Sequence, residues 1–344
     1  MKTTKKKRRN VEIRSEEAMK QLQEIFKKRG SKALEMARKE VLEEKIECKE
    51  AREALTYFIT EYWHDLARPT LLSLTCEAVG GDPELTTPIA VPMILISGAI
   101  DIHDDIIDES KTKNGRPAVY GKFGKDIALL IGDALLFKGL TLLSENVQKR
   151  AFSEKASLIK GIIQRTFFEL GDAEAFELSL RGRIDISPEE YLQIIWKKAA
   201  DVEAHTRISA IVGGGSEREI EALAKYGRLL GMLILLRDDW IDMIDPEEIQ
   251  QRLRKECPPL PILYALEHPL KHELIPFLKK RDITRKDAVT IREIVQKLEG
   301  MKHHREFMQT LVSRANVKLT EANTQKPELH MVLQAMLPYK VSVS

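Results

Sequence analysis

The chain has 344 residues, 43% hydrophobic and 31% charged, which is long enough to bury a sizeable core. Its 55 basic and 53 acidic residues leave a net charge of +2, which excludes the strongly basic balance of a general polyanion-binding protein. Three cysteines (Cys48, Cys76 and Cys257) cannot form a disulfide framework without a remainder and fit no zinc spacing, so a reducing, cytoplasmic setting is expected.

The chain opens on a basic run from Lys2 to Arg9 with no apolar segment behind it, which predicts a solvated, disordered arm over residues 1–14 rather than a signal peptide. Residues 15–60 place apolar side chains at intervals of three and four, the helical period. The long apolar run Ile89–Ile100, within 88–108, has the length of a buried helix rather than a strand. Gly115-Arg116-Pro117 is a loop signal, and 126–148 and 154–181 read as two further helices. Ser187-Pro188 opens a helix expected over 188–212, ended by Gly213-Gly214-Gly215. A long helical pattern follows over 216–241, then a break at Asp245-Pro246 and a rigid loop at Pro258-Pro259-Leu260-Pro261. No strand or hairpin pattern stands out, and no 18 apolar residues run uninterrupted, so no transmembrane segment is expected. The pattern predicts an all-α protein of ten or more helices, with 15–344 as a single domain.

Two acidic clusters of identical spacing lie about 130 residues apart: Asp104, Asp105 and Asp108, then Asp238, Asp239 and Asp242. Positions i, i+1 and i+4 of a helix fall within about a third of its circumference, so each cluster puts three carboxylates on one stripe. Each follows an apolar helical stretch, where unpaired charge is costly. A hard divalent cation offsets such repulsion, and Mg²⁺ takes carboxylate oxygens while keeping sites for water and phosphate. The six aspartates are therefore candidate metal ligands. Asp101 and Asp245 extend the two stripes, either as supporting groups or as caps and solvated charges.

With their flanks, the two clusters resemble the trans-prenyltransferases, the polyprenyl diphosphate synthases. Arg68-Pro69 resembles the end of the family's GGKRLRP segment, Gly115 and Pro117 its RRGxP segment, and Gly132-Asp133-Ala134-Leu135-Leu136 its GDALL helix. Tyr191 through Lys198 resembles the YLxIIxxKTA helix, and Tyr226-Gly227 with Gly231 the lead into the second aspartate motif. The resemblance covers roughly residues 30–300. It implies an isoprenoid-synthase-type helical bundle around a deep central cavity, commonly a homodimer. It also implies three Mg²⁺ ions joining the aspartates to the diphosphate of an allylic substrate, and ionisation to an allylic cation shielded in an apolar cavity. Lys198 and Lys113, then Lys255, are the expected diphosphate-binding residues. Ser97, Gly98 and Ala99 are the expected cavity-lining residues, small enough for a farnesyl- or geranylgeranyl-sized chain or longer, although close helix packing explains them equally well. Neither nucleic acid nor a membrane is an expected partner.

The pattern departs from the family where the second substrate, isopentenyl diphosphate, would bind. The positions of the family's four cationic or donor groups hold Asp65, Leu66, Ser97 and Asn114, with His64 and Arg116 nearby as possible substitutes. Ile234-Leu235 replace the Phe-Gln before the second motif, Ala199 replaces a threonine, and the loop Asp245–Pro261 is shortened. The first expectation is therefore ionisation of a long allylic diphosphate followed by cyclisation, proton loss or water capture, as in a terpene synthase. The alternatives are a chain-elongating polyprenyl diphosphate synthase and a non-catalytic subunit of a heteromeric prenyltransferase.

Overall fold

The computed structural model describes residues 2–113, 115–149 and 152–338, with the side chains of 2–19 outside that set. The all-α expectation holds. The α-helices, in order, are α1 (Lys2–Leu42), α2 (Lys49–Tyr57), α3 (Ala67–Ala78), α4 (Thr87–Ile107), α5 (Val119–Phe123), α6 (Lys125–Gln148), α7 (Ala156–Leu180) and α8 (Pro188–Lys198). They continue as α9 (Ala200–Val212), α10 (Glu217–Asp242), α11 (Pro246–Lys255), α12 (Leu260–Glu267), α13 (Ile275–Leu278), α14 (Arg285–Lys297), α15 (Gly300–Glu321) and α16 (Pro327–Met336). The backbone of the basic run lies in α1. The expectation of a solvated arm there concerns side chains outside the described set, and the replacement at Asn114 also lies outside the described residues.

The chain forms two compact units, one of Gln21–Ile162 with His205–Ile220, the other of Met1–Lys20, Ile163–Ala204 and Glu221–Ser344. In the first unit α4 packs chiefly against α6. Two glycines two turns apart on α6 make this possible. A Cβ on Gly132 would lie 2.5 Å from His103 Nε2, and one on Gly139 would lie 2.6 Å from Ile96 Cγ1. Pro92 lies inside α4 and has no N–H for the Pro88 carbonyl, four residues earlier. Asn146 of α6 supplies the missing donor, its Nδ2 donating to Pro88 O at 2.7 Å. Ile94, Leu95, Ala99 and Ile102 of α4 then join Phe58, Ile59, Ile131 and Leu135 in one buried core. The second unit has its own core, with Ile249, Ile262, Ile291 and Val295 fully or nearly fully buried.

Several local expectations change. A short hairpin pairs β1 (Thr112–Lys113) with β2 (Arg116–Pro117), because Gly115 at φ 72° allows a turn that a two-residue ladder gives no sequence period to reveal. The helix expected over 188–212 is two helices, α8 and α9, divided at Ala199. Gly231 of α10 crosses there so closely that a Cβ on it would lie 2.9 Å from Ala199 Cβ. The capping box of Ser187 and Glu190 opens α8 as expected. The rigid loop reaches only Pro259, since α12 begins at Leu260. Two segments, Pro83–Ile107 and Lys125–Gln148, are long and apolar enough to cross a membrane by length and mean hydropathy alone, a test that the core helix of a protein outside any membrane also meets. The first is 72% buried within the protein, as a core helix is, whereas the second is 33% buried.

Replacing Asn146 with leucine should strand the Pro88 carbonyl in the α4–α6 seam. The expected loss is about 1–3 kcal/mol of unfolding free energy, the cost of a buried unsatisfied polar group, read by denaturant unfolding. Unchanged stability would show that the carbonyl finds another donor.

Candidate active site

Each unit carries one aspartate cluster at the C-terminal end of a long helix. In the first, Asp104 and Asp105 lie in the last turn of α4 and Asp108 is its cap residue. Glu109 then turns into the left-handed region at φ 51°, and the Ser110 N–H donates back to the Asp105 carbonyl at 2.8 Å. Asp105 is buried at 3% exposure, while Asp104 and Asp108 are half-buried. A π-helical turn, Phe58–Tyr62, closes with the Trp63 N–H donating to Phe58 O at 2.7 Å and delivers Tyr62, whose hydroxyl donates to Asp105 Oδ2 at 3.2 Å. The hairpin brings Lys113 back onto the stripe. Its Nζ lies 2.5 Å from Asp101 Oδ1 and 4.0 Å from Asp105 Oδ1. Asp101 is thus part of this cluster.

Burial, and the neighbouring Asp101, push the Asp105 carboxyl up to about 7, with Lys113 offsetting only part of the effect. Burial also works against the Lys113 charge, but Asp101 and Asp105 outweigh it and hold the ammonium above its ordinary value. Asp101 Oδ2 is buried without a hydrogen-bond partner. That unpartnered carboxylate oxygen wants a cation or a proton, and the cluster's donors are the hard oxygens that suit Mg²⁺. On both counts it fits the expected metal.

The second cluster has the same spacing and a different balance. Asp238 is exposed, Asp239 is 2% exposed, and Asp242 is the last residue of α10. Both Asp239 oxygens are taken by the protein. Oδ1 accepts from the Tyr191 hydroxyl and from Arg252 Nη2, each at 2.9 Å, and Oδ2 accepts from the Leu260 N–H at 3.0 Å. Arg252 also pairs through Nη1 with Glu256 and sets Nε 3.6 Å from Asp242 Oδ2. Burial pushes the Asp242 carboxyl up to about 7 even with Arg252 beside it, Asp239 and Asp238 adding to the rise. Asp245 caps α11, accepting from the Glu247 N–H at 2.9 Å. Among the described residues no three carboxylate, imidazole or thiol groups converge closely enough to hold a metal unaided.

The other expected residues are placed as follows. Lys198 ends α8 and pairs with Glu174 at 2.8 Å and with Glu177. Lys255 ends α11, half-buried. Ser97, Gly98 and Ala99 are all buried in α4, and the open wall expected there is closed at Gly98. A Cβ on Gly98 would meet the Phe58 ring at 2.8 Å and Trp63 Nε1 at 3.3 Å, with those two rings stacked.

Asp65 also has a role that the sequence hides. Its Oδ1 accepts from the N–H groups of Ala67 and Arg68 at 3.0 and 3.1 Å, and Oδ2 pairs with Arg68 at 3.1 Å. Both of its oxygens thus bond the first residues of α3. Beside it Arg38 Nη2 lies 2.9 Å from His64 Nδ1, and Arg116 Nη1 donates to Glu61 O at 3.0 Å. Burial, and then the charges of Arg38 and Arg116, hold the His64 imidazole below its usual range. A pocket of about 680 Å³ is lined by Lys27, Arg38, His64 and Asp65 among others. The sequence reading missed Arg38, Tyr62, Tyr191's hydroxyl contact and Arg252. Only the extra helical charge of α1 and the RLRK segment of α11 hinted at the two arginines.

Comparison with known proteins identifies the fold and the family. The fold is shared with the geranylgeranyl pyrophosphate synthetase from Pyrococcus horikoshii, with a TM-score of 0.80 at 24% identity over 92% of this chain and 99% of that one. It is the all-α isoprenoid-synthase fold. A family model for polyprenyl synthetases matches residues 49–298, and the chain belongs to that family of enzymes. It is 37% identical over 182 residues to the short chain isoprenyl diphosphate synthase of Methanothermobacter thermautotrophicus, covering 53% of this chain and 55% of that protein. It is 34% identical over 190 residues to the geranylgeranyl diphosphate synthase of Methanosarcina mazei, covering 54% and 57%. The chain thus spans about half the length of the curated relatives it matches.

The raised carboxyls set a pH dependence. Asp105 and Asp242 titrate near 7 in the folded protein, against an ordinary value of 3.8. Between about pH 4 and 7 the folded state binds more protons than the unfolded state, so this stabilisation is full below pH 4 and lost as pH rises through 7. The metal-free protein should therefore have a higher Tm at pH 5 than at pH 8, and Asp105→Asn should flatten that slope. An unchanged slope in the variant would show that other groups set it.

Proposed function

We propose that the protein is a trans-prenyl diphosphate synthase, joining an allylic prenyl diphosphate to isopentenyl diphosphate. The carrying observation is the family match over 49–298, which contains both aspartate clusters. Asp104, Asp105 and Asp108, with Asp238 and Asp242, are the carboxylates proposed to hold Mg²⁺. Bound Mg²⁺ would supply Lewis-acid stabilisation of the charge that builds on the departing diphosphate. Lys113 is a basic group beside the first cluster and can exchange Asp101 for a phosphate oxygen, because a lysine stem is long and rotatable. Lys198 and Lys255 are proposed for the same diphosphate, Lys198 poised by Glu174 and Glu177. Tyr62 orients Asp105, and Tyr191 orients Asp239.

The second diphosphate is assigned to Arg38 and His64, which line the pocket beside Asp65 and Leu66, and to Arg116, named with His64 from the sequence as a substitute. Asp65 also lines that pocket, its negative charge offset by Arg68 and by the N–H groups at the start of α3. Ionisation without condensation remains the second reading, favoured by the uncharged Leu66 and Ser97. A homodimer is proposed as the working form. The face of α6 that carries Leu130, Phe137 and Leu140, at 61%, 75% and 39% exposure, offers an apolar surface for a second copy.

The test supplies Mg²⁺, farnesyl or geranylgeranyl diphosphate, and labelled isopentenyl diphosphate. Products lengthened by five carbons are expected. Diphosphate release with hydrocarbon or alcohol products in the absence of isopentenyl diphosphate would instead establish the second reading. Asp104→Ala should lower kcat by about 10²–10³-fold, the scale of removing a main electrostatic stabiliser. Arg38→Ala and Arg116→Ala should each raise KM for isopentenyl diphosphate about tenfold or more, the worth of a hydrogen bond to a charged group, and leave KM for the allylic substrate in place. Equal effects on both substrates would refute the separate assignment. Phe137→Glu should shift the protein toward monomer in light-scattering chromatography.

A further inference from the structure

We infer that Arg252 is the resident cation of the second aspartate cluster, its guanidinium held between Asp239, Asp242 and Glu256 where a divalent ion would otherwise sit. Asp239 is then a positioning residue and not a metal ligand. The inference rests on the reading that the clusters serve metal ions, and it separates the two clusters in how they do so.

Three observations carry it. Both oxygens of Asp239 already accept protein hydrogen bonds, three in all, from Arg252, Tyr191 and the Leu260 backbone. A metal could reach Asp239 only by displacing at least one of these donors within a nearly sealed site. Arg252 also meets three different carboxylates through three different nitrogens, Nη2 to Asp239, Nε toward Asp242 and Nη1 to Glu256. Nη1 and Nη2 are hydrogen-bonded, to Glu256 and to Asp239, while Nε makes only the ion pair with Asp242 and no hydrogen bond. A guanidinium does not lose its proton in a protein. Finally, the first cluster differs. Lys113 touches Asp101 at 2.5 Å but stands 4.0 Å from Asp105, and Asp101 Oδ2 has no partner. One cluster has its cation built in, and the other has a movable cation and an unfilled need. Among its own three aspartates the second cluster therefore offers a metal only Asp238 and the side of Asp242 turned from Arg252, so an ion there depends on diphosphate oxygens to complete its shell.

The test is Mn²⁺ binding to the full chain, read as loss of the free Mn²⁺ electron paramagnetic resonance signal, with and without inorganic diphosphate. With inorganic diphosphate present, Asp105→Asn should lower the Mn²⁺ bound per chain and Asp239→Asn should not change the stoichiometry. Arg252→Gln should gain about one Mn²⁺ per chain, Arg252→Lys should gain none, and Arg252→Gln with Asp239→Asn should lose the gain. Loss of bound Mn²⁺ in Asp239→Asn alone, or no gain in folded Arg252→Gln, would overturn the inference. Asp239→Asn in the otherwise wild-type chain decides the matter if Arg252→Gln fails to fold. Absence of Mn²⁺ binding by the wild type even with diphosphate would instead refute the metal reading of both clusters, and the inference with it.

Discussion

Burying a carboxylate at the end of an apolar helix sets the terms for everything around it. Asp105 and Asp239 are each the second aspartate of their motif, and each is almost fully buried. Both are met by the same two kinds of partner. Tyr62 and Lys113 serve Asp105, and Tyr191 and Arg252 serve Asp239, each set within its own unit. A tyrosine hydroxyl donates without adding charge, and a basic side chain supplies charge. The short elements that bring these partners in are the π turn, the hairpin, α8 and α11.

The platform under the first cluster is equally constrained. α4 can carry its aspartates at a fixed depth because it lies against the glycine face of α6. The proline inside α4 is tolerated because Asn146 replaces the lost donor. Packing, hydrogen bonding and charge placement therefore meet on one helix, and a change in the α4–α6 seam reaches the carboxylates through the backbone that carries them.

Much of this was legible in the sequence. Period and capping residues located α4, α6, α7 and α10 within a residue or two, and the paired motifs with their flanks pointed to the family. What stayed hidden were contacts between distant residues. Arg252 and Asp239 are thirteen positions apart across a helix break, and Arg38 and His64 lie on different elements. Asp65 seemed to oppose a phosphate until its hydrogen bonds placed it at the start of α3. Gly98 suggested room, and Phe58 fills it. The division at Ala199 follows from the close crossing at Gly231, which no local pattern encodes.

The position of the clusters along their helices has one more consequence. Asp108 caps the C-terminus of α4, and Asp242 is the last residue of α10. Aligned peptide dipoles leave about half a negative charge at such an end, on carbonyls without helical partners. The backbone itself thus draws cations to both sites, before any side chain is counted. Exchanging one aspartate for asparagine thins this negative field without abolishing it, whereas moving the same motif to the start of a helix would set its carboxylates against a positive pole.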